Sequence, residues 1–254
     1  MPQVKLILIA VVLVLGWGVA LRARGPVRGD GAGRAVGEAR YLALGDSYTI
    51  GESVDPGERY PAQVRRLLAE NDQLAVGDPE IIAMTGWTTG NLLKALEAMK
   101  PEQGDREAVA KGSEKPRAVY DMVSLLIGVN NQYQGRSQEE YREQFEQLLQ
   151  QCIRLAGNRP SHVVVLSIPD YSVTPFGRMR GRDTSMIAAQ IDSLNRINAE
   201  LARVYKVSYV DVTTESRKAE ADPLLVAADG LHFSGKEYRV WAGLMEPVLK
   251  RMLE

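Results

Sequence analysis

Two short stretches near opposite ends of the chain hold the groups needed to turn a hydroxyl on an ester. Ser47 stands in Gly45-Asp46-Ser47-Tyr48, directly after the apolar run Tyr41-Leu42-Ala43-Leu44. His232 closes Asp229-Gly230-Leu231-His232. A neutral serine hydroxyl is a weak nucleophile and needs a base to take its proton as it attacks. Imidazole suits that task near neutral pH, and the chain has only two histidines. Asp229, three residues before His232, can reach the Nδ1 side of the ring through a tight turn. A carboxylate there fixes the tautomer, steadies the imidazolium and leaves Nε2 free for the serine. His162 opens an apolar run between Ser161 and Val163 and reads as structural.

The tetrahedral intermediate of such a reaction also needs donors for its negative oxygen. The Ser47 N–H is one candidate. Gly86, in Met84-Thr85-Gly86-Trp87, is a second, because a residue without a side chain permits close approach. The side-chain amide of Asn130, in Gly128-Val129-Asn130-Asn131, is a third. Tyr48, Trp87, Asn131 and the loop Asp170 to Gly177, including Tyr171, are the expected lining of a substrate cleft. Asp46 reads as a loop-pinning acceptor of backbone N–H bonds rather than as a base.

These groups need a scaffold that gathers them. Arg40 to Leu44, Glu80 to Ala83, Met122 to Ile127, His162 to Ile168 and Val207 to Val212 read as strands. Most are nearly continuous in apolar residues, as parallel strands covered on both faces should be. Tyr60 to Glu70, Thr89 to Met99, Gln138 to Ala156, Thr184 to Tyr205 and Gly235 to Leu253 read as helices between and after them. Ser137 and Glu140 have capping-box spacing, and Gly157 marks the end of the same helix. Ile187, Ile191, Leu194, Ile197 and Leu201 form one apolar stripe. The alternation predicts a three-layer α/β/α sandwich of about five parallel strands. In such sheets ligands collect beyond the carboxyl ends of the strands, and Ser47, Gly86, Asn130, the loop Asp170 to Gly177 and His232 all fall on that rim.

Composition sets the remaining bounds. The 254 residues suit a single domain at 39–254, with 31 Lys and Arg against 32 Asp and Glu. A net charge of −1 gives no bulk attraction to nucleic acid. Cys152 is the only cysteine, so neither an internal disulfide nor a Cys/His zinc cage is available. The proposed chemistry calls for no metal and no cofactor. Leu6 to Leu21 carries no charged side chain and is flanked by Lys5 and by Arg22, Arg24 and Arg28. As a helix it would span about 24 Å, less than a bilayer core. Residues 1–24 therefore read as a signal peptide or an N-terminal membrane anchor, placing the protein outside the cytoplasm or attached to a membrane. Residues 25–38 read as a flexible tether, and Asp105 to Pro116 as a surface insertion. The sequence leaves the oligomeric state open.

Gly45-Asp46-Ser47, Gly86, Gly128-Val129-Asn130 and Asp229-Gly230-Leu231-His232 resemble, in order, the four blocks of the SGNH/GDSL hydrolases. The resemblance covers the domain from about Arg40 to Leu253. It implies a flavodoxin-like sheet and serine esterase or lipase chemistry, with Ser47 as nucleophile, His232 as base and Asp229 as its partner. It also implies oxyanion donors from Ser47 N–H, Gly86 N–H and the Asn130 amide. Two positions depart from the family's common pattern: Asn131 stands where Asp is frequent, and Phe233 where Pro is. Neither supplies a reacting group, and on the sequence alone Asn131→Asp is expected to be mild. The expected substrate is a small-molecule, lipid or glycan ester, with lysophospholipase-like activity included. O-acetylesterase or O-acyltransferase action on envelope glycans is the alternative, ahead of a non-catalytic ligand-binding relative. A flavodoxin-like electron carrier would share the topology but have no use for Asp229 and His232.

Overall fold

The computed structural model describes residues 37–98, 119–179 and 181–254. The apolar segment 6–21, most of the tether and the insertion at 105–116 lie outside the described residues. Among the described residues no helix is long and apolar enough to cross a membrane.

Five strands, β1 (Tyr41–Gly45), β2 (Glu80–Ala83), β3 (Met122–Leu126), β4 (Val163–Leu166) and β5 (Ser208–Val210), form one sheet in the order β2-β1-β3-β4-β5. Every neighbouring pair is parallel. β1, β3 and β4 are buried along their whole length, which is why they read as unbroken apolar runs. The helices α1 (Tyr60–Asp72), α2 (Thr89–Ala98), α3 (Gln138–Leu155), α4 (Thr184–Tyr205) and α5 (Gly235–Leu253) cover the sheet. α1 packs on α5, whereas α2, α3 and α4 pack in series. This is the doubly wound α/β/α sandwich with flavodoxin-like strand order.

Local rules explain the helix limits. Asp183 accepts the Met186 N–H at the start of α4, and Lys206 ends it in a left-handed conformation. Ser137 accepts the Glu140 N–H at the start of α3 (3.1 Å). The apolar stripe of α4 is buried at Ile187, Ile191, Leu194 and Leu201, with Ile197 partly covered.

The strand limits differ more, because side chains take over the backbone groups at their ends. β4 stops at Leu166 rather than Ile168. Asn195 of α4 accepts the Ile168 N–H (2.7 Å) and donates to its carbonyl (3.0 Å). β5 stops at Val210 rather than Val212, where Ser167 Oγ accepts the N–H groups of Val212 (2.8 Å) and Thr213 (2.9 Å). His162 does not open β4. It ends a 3₁₀ turn, Pro160–His162, and its Nδ1 donates to the Asp121 carbonyl (2.7 Å).

Register matters most for the site. Gly45 at the end of β1 lies level with Ala83 of β2 and with Leu126 of β3. The loops carrying Ser47, Gly86 and Asn130 therefore leave the sheet at one height. The chain also reverses direction across the sheet between β1 and β3, the place where doubly wound sheets open a crevice.

Candidate active site

Ser47 begins a one-turn helix, Ser47–Ile50, capped by Asp46 through the Tyr48 N–H. Gly45 is required by close approach. A Cβ there would come within 2.1 Å of Thr49 Oγ1 and 2.3 Å of the Leu126 carbonyl, so the turn could not seat itself against β3. Asp46 is fully buried, with Oδ1 taking the Tyr48 N–H (3.1 Å) and Oδ2 unpartnered. Burial pushes its carboxyl up to about 7, since a charge without full solvation is costly. Its role is to set the loop, as the sequence implied.

The Asp229–His232 turn is closed by the carboxylate itself. Asp229 Oδ1 accepts the N–H groups of Leu231 and His232, each at 2.9 Å. Asp229 Oδ2 lies 2.5 Å from His232 Nδ1. Burial pushes the Asp229 carboxyl upward, but hydrogen bonds from the His232 ring, the Leu231 N–H, the Ser53 hydroxyl and the His232 N–H outweigh it. The group is held well below the usual carboxylate range, so it stays ionised beside the imidazole. The ring is also fixed from behind. Tyr48 meets it edge-on at 5.7 Å between centroids. Phe233 packs on Tyr48 (5.8 Å) and Trp241 (5.6 Å), so an aromatic wall stands where the family's common proline would be.

Ser47 and His232 line one cavity of about 210 Å³, together with Tyr48, Thr85, Gly86, Val129, Asn130, Tyr133, Tyr171, Phe176 and Leu231. Gly86 adopts φ +83°, a conformation that favours glycine, and no atom lies within 4 Å of where a Cβ would sit. Backbone conformation, not crowding, is what calls for glycine there. Asn130 donates one amide hydrogen to the Trp87 carbonyl (2.9 Å), which leaves its second N–H for the cavity it lines. No hydrogen bond joins the Ser47 hydroxyl to the His232 ring, although both border the same space.

Two expected lining residues are placed elsewhere. Asn131 is buried beneath the site, accepting the Thr89 N–H (3.0 Å) and donating to Thr89 Oγ1 (2.8 Å). It turns inward because it follows Asn130 on the helical turn Val129–Tyr133, so the two side chains point in different directions. Trp87 contributes its carbonyl to Asn130 while its ring packs against the core, outside the cavity lining. Within the loop after β4, Tyr171 and Phe176 reach the cavity, whereas Asp170 pairs with Arg217 (2.9 Å).

Sequence reasoning missed Thr85, Val129, Tyr133, Leu231 and Ser53. Tyr133 sits three residues after Asn130, one helical turn along, and that spacing could have found it. Ser53 donates to Asp229 Oδ2 (2.7 Å) from a left-handed φ of +66°. Nothing in its neighbourhood in the sequence announces a contact so distant along the chain. Among the described residues no cluster of His, Cys, Asp or Glu is suited to a metal ion.

The doubly wound sheet, with its polar groups gathered above the switch point, is a fold shared with a solved member of the lipolytic G-D-S-L family. The chain matches the GDSL-like lipase/acylhydrolase family over residues 43–240. It belongs to that family and is an ester-cleaving hydrolase. Among solved structures it is similar to a member of the lipolytic G-D-S-L family from Veillonella parvula, at 19% identity and a TM-score of 0.59, covering 84% of this chain and 99% of the other. A lipase/acylhydrolase from Enterococcus faecalis is 23% identical with a TM-score of 0.56, covering 84% and 96%. An acetyl xylan esterase from Geobacillus stearothermophilus is 18% identical with a TM-score of 0.56, covering 84% and 95%. No curated protein sequence matches the chain at a significant level.

Proposed function

We propose that the enzyme cleaves short- to medium-chain carboxylic esters through a Ser47-His232-Asp229 triad and an acyl-enzyme. The observation that carries this reading is the Asp229–His232 pair at 2.5 Å, opening onto the same cavity as Ser47. Ser47 attacks the acyl carbonyl while His232 Nε2 takes its proton. The forming oxyanion is met by the N–H groups of Ser47 and Gly86 and by the free amide hydrogen of Asn130. The alkoxide leaves with the proton held on His232, and water repeats the sequence to release the acid. The bond between Ser47 and His232 closes around substrate, as such bonds often do. Asp229 remains charged throughout, which its hydrogen bonds favour.

The size of the cavity and its walls of Val129, Tyr133, Tyr171, Phe176 and Leu231 suit a compact apolar acyl group. The apolar run at 6–21 supports action outside the cytoplasm or at a membrane. Hydrolysis of nitrophenyl acetate, butyrate, octanoate and palmitate by wild-type protein and Ser47→Ala tests the proposal. Turnover should peak at acetate to octanoate and vanish in the folded variant. Equal rates for the two proteins would overturn it.

A further inference from the structure

We infer that Arg182 recognises an anionic group on the alcohol side of the ester, making the enzyme selective for substrates with a charged leaving group. This rests on the reading of Ser47 as nucleophile. The Arg182 guanidinium carbon lies 4.1 Å from the centroid of the Phe176 ring and 5.4 Å from that of Tyr133. Both rings line the cavity, and they pack on each other at 6.3 Å. Arg182 itself is not part of the lining. A substrate group that met Arg182 would therefore lie outside the cavity, and with the acyl group inside it that group belongs to the alcohol.

The charge there is not neutralised locally. Arg178, four residues away, pairs with Glu220 (2.7 Å), and Arg217 pairs with Asp170 (2.9 Å) and Asp192 (2.7 Å). Among the described residues no carboxylate pairs with Arg182. Its neighbour Asp183 is committed to the N–H of Met186 at the start of α4 (2.9 Å). Among the described residues, the polar side-chain contact of Arg182 is a long one, Nη2 to the Tyr133 hydroxyl at 3.5 Å.

Stacking holds a guanidinium by its face and leaves its in-plane N–H groups free, the edge that grips phosphate or carboxylate. Turns fix the position, with Met179 N–H donating to the Phe176 carbonyl (3.2 Å) and Arg182 N–H to the Met179 carbonyl (3.1 Å). Burial raises the phenol of the cavity-lining Tyr171, and the positive charge of Arg182 offsets part of that rise. Glu52 accepts the hydroxyl of the cavity-lining Thr85 (2.5 Å).

A matched pair of esters tests the inference, 1-butyrylglycerol 3-phosphate against 1-butyrylglycerol. Acyl group and scissile bond are the same, and only the anion differs. A third probe with a carboxylate in place of the phosphate separates the two anion types. Wild type should prefer the phosphate ester in kcat/KM by about tenfold or more, the scale of a charge-assisted hydrogen bond. That preference should collapse toward parity in Arg182→Gln and survive in part in Arg182→Lys, and it should shrink with added salt. Thermal midpoints and circular dichroism establish that the variants are folded. An unchanged preference in Arg182→Gln, or none in wild type, would overturn the inference while leaving the esterase reading intact. Cleavage of none of the three esters would overturn both.

Discussion

Ser53 donates its hydroxyl to Asp229 Oδ2 at 2.7 Å, the same oxygen that lies 2.5 Å from His232 Nδ1. The carboxylate is thereby held from three directions: by its own turn, by the imidazole, and by a serine in a left-handed conformation on the segment that follows Ser47. The loop bearing Ser47 and the loop bearing His232 are thus tied together by a bond outside the proposed triad. Ser53 is a positioning residue for Asp229. Ser53→Ala should lower kcat about two- to tenfold, the value of one hydrogen bond, with KM little changed. Ser53→Gly removes the hydroxyl while suiting the positive φ, and it should be as slow as Ser53→Ala but more stable. If Ser53→Gly restored full turnover, backbone strain and not the hydroxyl would be the operative feature.

Removal of Ser47 or His232 by alanine should each reduce kcat by on the order of 10⁴-fold or more. The double variant should be no slower than the worse single one, because in the proposed mechanism the two groups act in one step. Steady-state rates on nitrophenyl butyrate read this directly. Additive losses would mean that they serve separate steps.

Asn130→Ala should lower kcat about 100-fold or more, the scale of a single oxyanion donor, with a smaller effect on KM. Asn131→Asp is the more informative neighbour. The buried Asn131 amide donates to Thr89 Oγ1, whose own hydrogen goes to Gln144 Oε1 (2.5 Å). An aspartate at 131 would face an oxygen with no hydrogen to give and would bury a charge. The mild effect expected from sequence is therefore replaced by a measurable loss of thermal stability, greater at pH 8 than at pH 5. Calorimetry of the two proteins at both pH values decides it, and an unchanged midpoint would remove the argument.

Asp46 and Asp229 should push stability in opposite directions with pH. The Asp46 carboxyl, raised to about 7 by burial, holds a proton in the folded state that the unfolded chain has already released above about pH 4. Between those values stability falls as pH rises, and the full penalty stands above the folded value. Asp46→Asn keeps an acceptor for the Tyr48 N–H and removes the penalty, so its midpoint relative to wild type should be higher at pH 8 than at pH 5. Asp229 is depressed, so its contribution is complete above the ordinary carboxylate range. That contribution is lost as pH falls through its low folded value, and Asp229→Asn should narrow the acid-induced loss. Stability curves of the three proteins from pH 2 to 8 measure both signs.

Local sequence determined a good deal. The limits of α4 and α5 follow from caps and apolar period, and the burial of β1, β3 and β4 from continuous apolar runs. Strand–helix alternation determined the layer architecture, and the Asp-Gly-Leu-His spacing determined the Asp229–His232 pair, since a carboxylate can close its own turn. The order β2-β1-β3-β4-β5 lay beyond local spacing, though the family resemblance implied it, because pairing among buried strands is chosen by packing across the whole sheet. So did the inward turn of Asn131, the reach of Ser53 to Asp229 and the seat of Arg182 on Phe176 and Tyr133. Each depends on chain segments that meet only after the sheet has formed. Spacing along a chain reports on neighbours within a turn or two, whereas contacts between loops are set by the register of the strands beneath them.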